Sequence, residues 1–208
     1  MNTMVEGLES RRLMSATVSA TVQADLQKLT DDSAAAQAQV AQYMPTMLAN
    51  AATLRADLLA SHSPVNRLLL GREQGAGMRF LALTRAGTNT FLRVELATAR
   101  RVIADGLRLA AHPGNAVLQA RVTLDQATFN TAATVYMNRL GAIQSVVGAL
   151  AAAAYNTILS VNPTNSAISA DIQTSQSDGS AFLAALGTSL GTTQTDLATL
   201  VNDVATGA

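Results

Sequence analysis

Residues 112–165, HPGNAVLQARVTLDQATFNTAATVYMNRLGAIQSVVGALAAAAYNTILSVNPTN, decide how this chain folds. The stretch opens on His112-Pro113-Gly114-Asn115 and closes on Val161-Asn162-Pro163-Thr164-Asn165. Proline lacks an amide donor and cannot continue a helix, and Gly and Asn accept turn conformations, so each cluster stops one helix and starts another. Between the clusters, Leu118, Val122, Phe129, Ala132, Tyr136, Ile143, Val147, Leu150, Ala154 and Val161 follow a three-four spacing, with a one-residue slip near Arg139 and Leu140. Such spacing predicts one long helix with a coiled-coil type seam.

Working outward, Ser61-His62-Ser63-Pro64 supplies a third junction, and the three together divide the body into four legs of about 45 residues. In the first leg Val22, Leu26, Leu29, Ala36, Val40, Tyr43, Met47 and Leu54 repeat the seam, with Ser33 and Asn50 at its remaining positions. Pro45 falls inside that leg and is expected to kink it without ending it, because the seam keeps its register on both sides. Leu183, Leu186, Leu190, Leu197, Leu200 and Val204 carry the same pattern in the last leg.

The second leg is less regular. Gly71, Gly75, Gly77 and Gly87 each lower helix propensity by about 1 kcal/mol relative to Ala, which predicts two helices, roughly 65–86 and 88–111, the second capped by Thr88 or Asn89. Residues 175–179 are a turn signal in the fourth leg, with Asp178 as N-cap. The expected fold is all-α: an elongated up-and-down four-helix bundle with coiled-coil-like seams, its second and fourth legs each broken into two helices. Matched legs suit that topology, and 45 helical residues span about 65 to 70 Å, so a rod is expected. Residues 17–208 form one helical domain in this reading.

Composition agrees. Hydrophobic residues make up 49 % of 208, enough for a continuous core, but aromatics supply only 3 %, so burial must rest on Ala, Leu, Val and Met. The chain has no cysteine, which removes disulfides, thiolate metal sites and Cys nucleophiles. Its zero net charge hides an uneven distribution. Residues 55–139 hold a local excess of Arg over acidic side chains, whereas residues 140–208 contain Asp171, Asp178, Asp196 and Asp203 with no Lys or Arg. Such asymmetry steers acidic partners or is neutralised between neighbouring helices.

No catalytic constellation emerges. Di-iron carboxylate bundles need Glu-x-x-His pairs, and none of Glu6, Glu9, Glu73 and Glu95 has a His three residues on. His62 and His112 stand at opposite ends of the second leg, too far apart for a shared metal or proton relay; His112 reads as a helix-end cap. Gly71-Arg72-Glu73-Gln74-Gly75-Ala76-Gly77 lacks the Gly-Lys-Ser/Thr ending of a phosphate loop and follows no strand, so it reads as a flexible or close-packed helix stretch. Tyr43, Tyr136 and Tyr155 sit at or beside seam positions, where packing is the ordinary explanation. No cofactor or metal is expected. The apolar run 142–161 is interrupted by Gln144, Ser145, Asn156 and Thr157, which argues against a membrane span. Arg93, Arg100, Arg101 and Arg108 line one helix face opposite Leu92, Leu96, Val102, Ile103 and Leu107. Arginine's planar fork suits phosphate, sulfate or carboxylate. Without aromatic stacking or a reading motif, sequence-specific nucleic-acid binding is not expected.

The N-terminus carries a different signal. Leu8-Glu9-Ser10-Arg11-Arg12-Leu13-Met14-Ser15-Ala16 resembles the LEPR-x-LLS-type signature near the start of exported and surface proteins of planctomycete bacteria, in the variant with Ser for Pro. Leu8, Glu9, Arg11, Leu13, Ser15 and Ala16 match it, and Met14 stands where a second Leu is usual. The resemblance covers about a dozen residues and implies that 1–16 is a targeting segment. It lacks the apolar core of a secretory signal peptide. Together with a body poor in chemistry, it leads to the expectation of a non-enzymatic extracytoplasmic or cell-surface helical structural or interaction protein, able to form homo-oligomers through its seams. The alternative is an intracellular binding module whose Arg-rich face, residues 67–108, docks an acidic polymer or membrane surface.

Overall fold

The computed structural model describes residues 18–62 and 64–206, and the side chains of 64–66 are outside that description. The N-terminal segment with Leu8, Glu9, Arg11, Leu13, Ser15 and Ala16 also lies outside the described residues. Four helices, α1 (Ala20–Ala60), α2 (Pro64–Ala111), α3 (Ala116–Val161) and α4 (Ser166–Thr206), account for nearly all of the rest, and no strand occurs among the described residues. The fold is all-α, with helix–helix contacts that fit a bundle.

Helices begin and end at the expected junctions, for visible reasons. The Asn115 side-chain oxygen accepts from the amides of Val117 (3.0 Å) and Leu118 (3.3 Å), and that of Asn165 accepts from Ala167 (3.1 Å) and Ile168 (3.2 Å). Both are Asn N-caps satisfying amides that have no partner inside the helix. Ser19 does the same for Val22. Gly114, at φ +89°, makes the left-handed turn that closes the α2–α3 junction.

Two expectations are corrected. The second and fourth legs are not broken: α2 runs 48 residues and α4 runs 41 without interruption. Tertiary contact outweighs glycine's weak propensity here. An ideal Cβ on Gly87 would lie 2.6 Å from Tyr136 Cε2, so that glycine makes room for a neighbouring ring without ending the helix. Thr88, expected as a cap, is buried and shares a 2.9 Å hydrogen bond with the Tyr136 hydroxyl. Asp178 is mid-helix and accepts from the Asn50 amide at 2.9 Å.

The chain groups into two compact units. The first comprises the described part of residues 1–34 with Thr90–Val135 and the described part of 190–208. Its core is built on Leu29, Phe91, Leu92, Phe129, Leu197 and Leu200, with the Phe91 and Phe129 rings tilted at 5.7 Å. The second comprises Ala35–Asn89 and Tyr136–Ser189, cored by Leu54, Leu58, Leu69, Tyr155, Ile158 and Ile168. Within it, Thr88 meets Tyr136 while Glu73 meets Tyr155, so α2 and α3 run antiparallel; Tyr43 meets Phe182 while Asn50 meets Asp178, which makes α1 and α4 antiparallel too.

Candidate functional site

Three places concentrate chemistry. The most developed is a cavity of about 440 Å³ in the second unit. Its walls come from all four helices: Tyr43 and Met47 from α1, Glu73 and Phe80 from α2, Val147 and Tyr155 from α3, Ser175 and Leu183 from α4. Gly77, Gly148 and Gly179 also line it, and their missing side chains leave the space open. Tyr43 stacks on Phe182 with centroids 4.1 Å apart and planes within 2°, which fixes one aromatic wall. The Tyr155 hydroxyl donates to Glu73 Oε1 at 3.0 Å, and Glu73 Oε2 is shielded from solvent with no hydrogen-bond partner.

Burial governs the electrostatics here. Loss of water pushes the Glu73 carboxyl above the usual carboxylate range, and the Tyr155 hydrogen bond holds part of that rise back. Tyr155 is pushed up by burial and then by the neighbouring Glu73. Tyr43 is raised by burial, with smaller contributions from Asp178 and Glu73. Both phenols therefore stay protonated at neutral pH and serve as donors, not as bases.

The second place is a polar layer inside the first unit. Glu95 on α2 is fully buried, beside Ser33 of α1 and Thr193 of α4. Neither carboxyl oxygen has a hydrogen bond of good geometry, since the Thr193 hydroxyl donates to Leu190 O at 3.0 Å. Burial is the main reason the Glu95 carboxyl is pushed up to about 8; Thr193 and Ser33 oppose the rise and Asp196 adds to it. Near it Lys28 bridges Asp196 and Asp32. Desolvation raises Asp196, whereas Asp32, more open to water, is lowered by its hydrogen bonds.

The third is the arginine face. Arg93, Arg100, Arg101 and Arg108 are all exposed on α2 of the first unit, as the sequence predicts. Two of the four face aspartates. Arg108 Nη1 donates to Asp105 Oδ1 at 2.8 Å, and Arg101 pairs with Asp125 of α3 at 3.6 Å.

His62 lies in the second unit and His112 in the first. Among the described residues no three His, Asp or Glu side chains are grouped to hold a metal ion. Sequence reasoning passed over Glu73, which it placed in a glycine-rich stretch, and Glu95. A signal for Glu95 was present: it stands in step with Phe91, Leu92, Thr98, Ala99 and Val102 on the buried stripe of α2.

The third helix adds a surface feature. Val146 and Leu150 are 60 % and 57 % exposed in the second unit, as are Val117 and Leu124 at 63 % and 65 % in the first. An 18-residue window of α3 has mean hydropathy 1.4 with only 11 % of it buried, so among the described residues this one helix is long and apolar enough to cross a membrane. No protein-family model, curated protein or solved structure matches the chain.

Proposed function

We propose that the protein is a non-enzymatic helical structural or interaction module that works outside the cytoplasm or on the cell surface, directed there by its planctomycete-type N-terminal segment. The observation that carries the interaction part is the uncovered apolar side of α3. Between Leu140 and Val161 no charged residue interrupts it, and Val146, Leu150 and Val161 stay exposed. Burying such surface against water is worth about 25 cal/mol per Å². A neutral face meets no like-charge repulsion from a second copy of itself, so a homo-oligomer is the partner this reading commits to. Leu118, Phe129, Leu140, Tyr155 and Ile158 of the same helix are buried among protein side chains, which favours a bundle helix over a membrane span.

Coiled-coil packing belongs to this proposal. Val22, Leu29, Ser33, Ala36, Val40 and Leu54 of the first-leg seam are buried, in support of it. Sedimentation velocity checks the self-association: the native chain is expected to form dimers as concentration rises, and the Val146→Asp/Leu150→Asp double variant to remain monomeric with unchanged helicity. A chain that is monomeric throughout, or dimers indifferent to both substitutions, would sink this reading.

The second reading is an intracellular module docking an acidic polymer or membrane surface through its arginines. The exposure of Arg93 and Arg100 favours it. Arg101 and Arg108 count less, because each already faces an aspartate.

A further inference from the structure

We infer that the cavity of the second unit is a binding site for a small organic cation, an ammonium group on an aromatic or aliphatic body, with Glu73 as its counter-charge. The site is independent of the surface reading above.

Four observations converge. The volume of about 440 Å³ falls in the range of small-molecule sites, about 300–1,000 Å³. Glu73 lines the cavity with one oxygen held by Tyr155 and the other shielded and unpartnered. A buried carboxylate oxygen without a donor is destabilising, and a turn of the Glu73 side chain toward an ammonium group in the cavity would supply the missing partner. No Lys, Arg or His stands among the described residues that line the space, so the chain offers no internal counter-ion, and an incoming anion would meet a carboxylate with nothing to balance it.

The rest of the lining selects the body of the ligand. Tyr43, Phe80 and Tyr155 present aromatic surface, and a cation within about 6 Å of a ring face is attracted by its quadrupole. Met47, Val147 and Leu183 add apolar surface. The α3 wall is underpacked: not one residue from 141 to 154 is buried, although the segment is almost wholly apolar or small. A ligand body lying against Val147, Gly148 and Ala151 covers that wall from inside. A neutral apolar molecule would fill the space and leave the Glu73 oxygen unpaired. Water alone would leave the apolar wall wet.

Titration calorimetry of the full chain with 2-phenylethylammonium, set against the neutral 2-phenylethanol, tests the assignment. The expected result is saturable one-to-one binding of the ammonium, weakened about tenfold by Glu73→Gln, which keeps the shape of the side chain and removes its charge. The alcohol is expected to bind more weakly and to be indifferent to that change. Gly148→Leu is the second variant, because a Cβ there meets no atom within 4 Å and leucine favours the helix, so the chain still folds. It should abolish binding by filling the space. No saturable binding of the ammonium, equal affinity for both compounds, or affinity untouched by Glu73→Gln or by Gly148→Leu would overturn the inference.

Discussion

Replacing Glu95 with Gln is expected to stabilise the protein at pH 8 and above by several kcal/mol, and to leave it nearly unchanged at pH 4. In the unfolded chain this carboxyl titrates near its ordinary value of 4.5, but in the folded chain it is held up to about 8. Below pH 4.5 both states carry the proton and ionisation costs nothing. Between the two values the unfolded chain releases its proton while the folded chain retains it, so stability falls by about 1.4 kcal/mol per pH unit. The accumulated loss is of order 4 kcal/mol by pH 8 and then levels off. Glutamine cannot ionise and avoids it. Burial also raises Asp25, Asp171, Asp196 and Glu73, so overall stability falls as pH rises for them too. The difference between variant and native chain isolates Glu95, with Asp196 as the nearby charge that sharpens it. Denaturant midpoints at pH 4, 6 and 8 check this; profiles that stay parallel would refute it.

Truncating Phe129 to Ala should cost about 3–5 kcal/mol, the usual penalty for emptying a large aromatic site in a packed core. Phe129 is 2 % exposed and faces Phe91 in a core otherwise built mainly on aliphatic side chains. Leu150→Ala is the matched control. Sequence spacing sets Leu150 and Phe129 on the same seam, but Leu150 is 57 % exposed, and its truncation should change the stability of the monomer by less than about 0.5 kcal/mol. Equal losses from the two would mean that α3 turns Leu150 inward.

That pair marks where the sequence stops being sufficient. Pro, Gly and Asn clusters act locally, through a missing amide, a positive φ and a capping oxygen, so the junctions were legible and the four helices follow. On α1 the spacing found Val22, Leu29, Ser33, Ala36, Val40 and Leu54, which are buried, while Leu26, Tyr43 and Met47 on the same stripe are half-buried. On α3 the expected slip near Leu140 does not occur: Leu118, Val122, Phe129, Ala133, Leu140 and Ile158 keep one register and are buried, while Leu150 and Val161, which the sequence spacing put on the seam, are exposed. The glycines of α2 misled in the other direction, since propensity is local and the ring that needs Gly87's space lies 49 residues away in the sequence. Glu73 escaped notice for the same reason: its partner Tyr155 lies on another helix, and no short motif joins them. The arginine face was legible as a surface, but not its aspartate partners, Asp105 on α2 and Asp125 on α3.

Fractionation of the cells that make the protein, with mass spectrometry of its N-terminus, tests the proposal that the module works outside the cytoplasm. The expected result is recovery in the envelope or the medium. An intact chain confined to the cytosol would contradict that proposal and shift weight to the arginine face of the second reading.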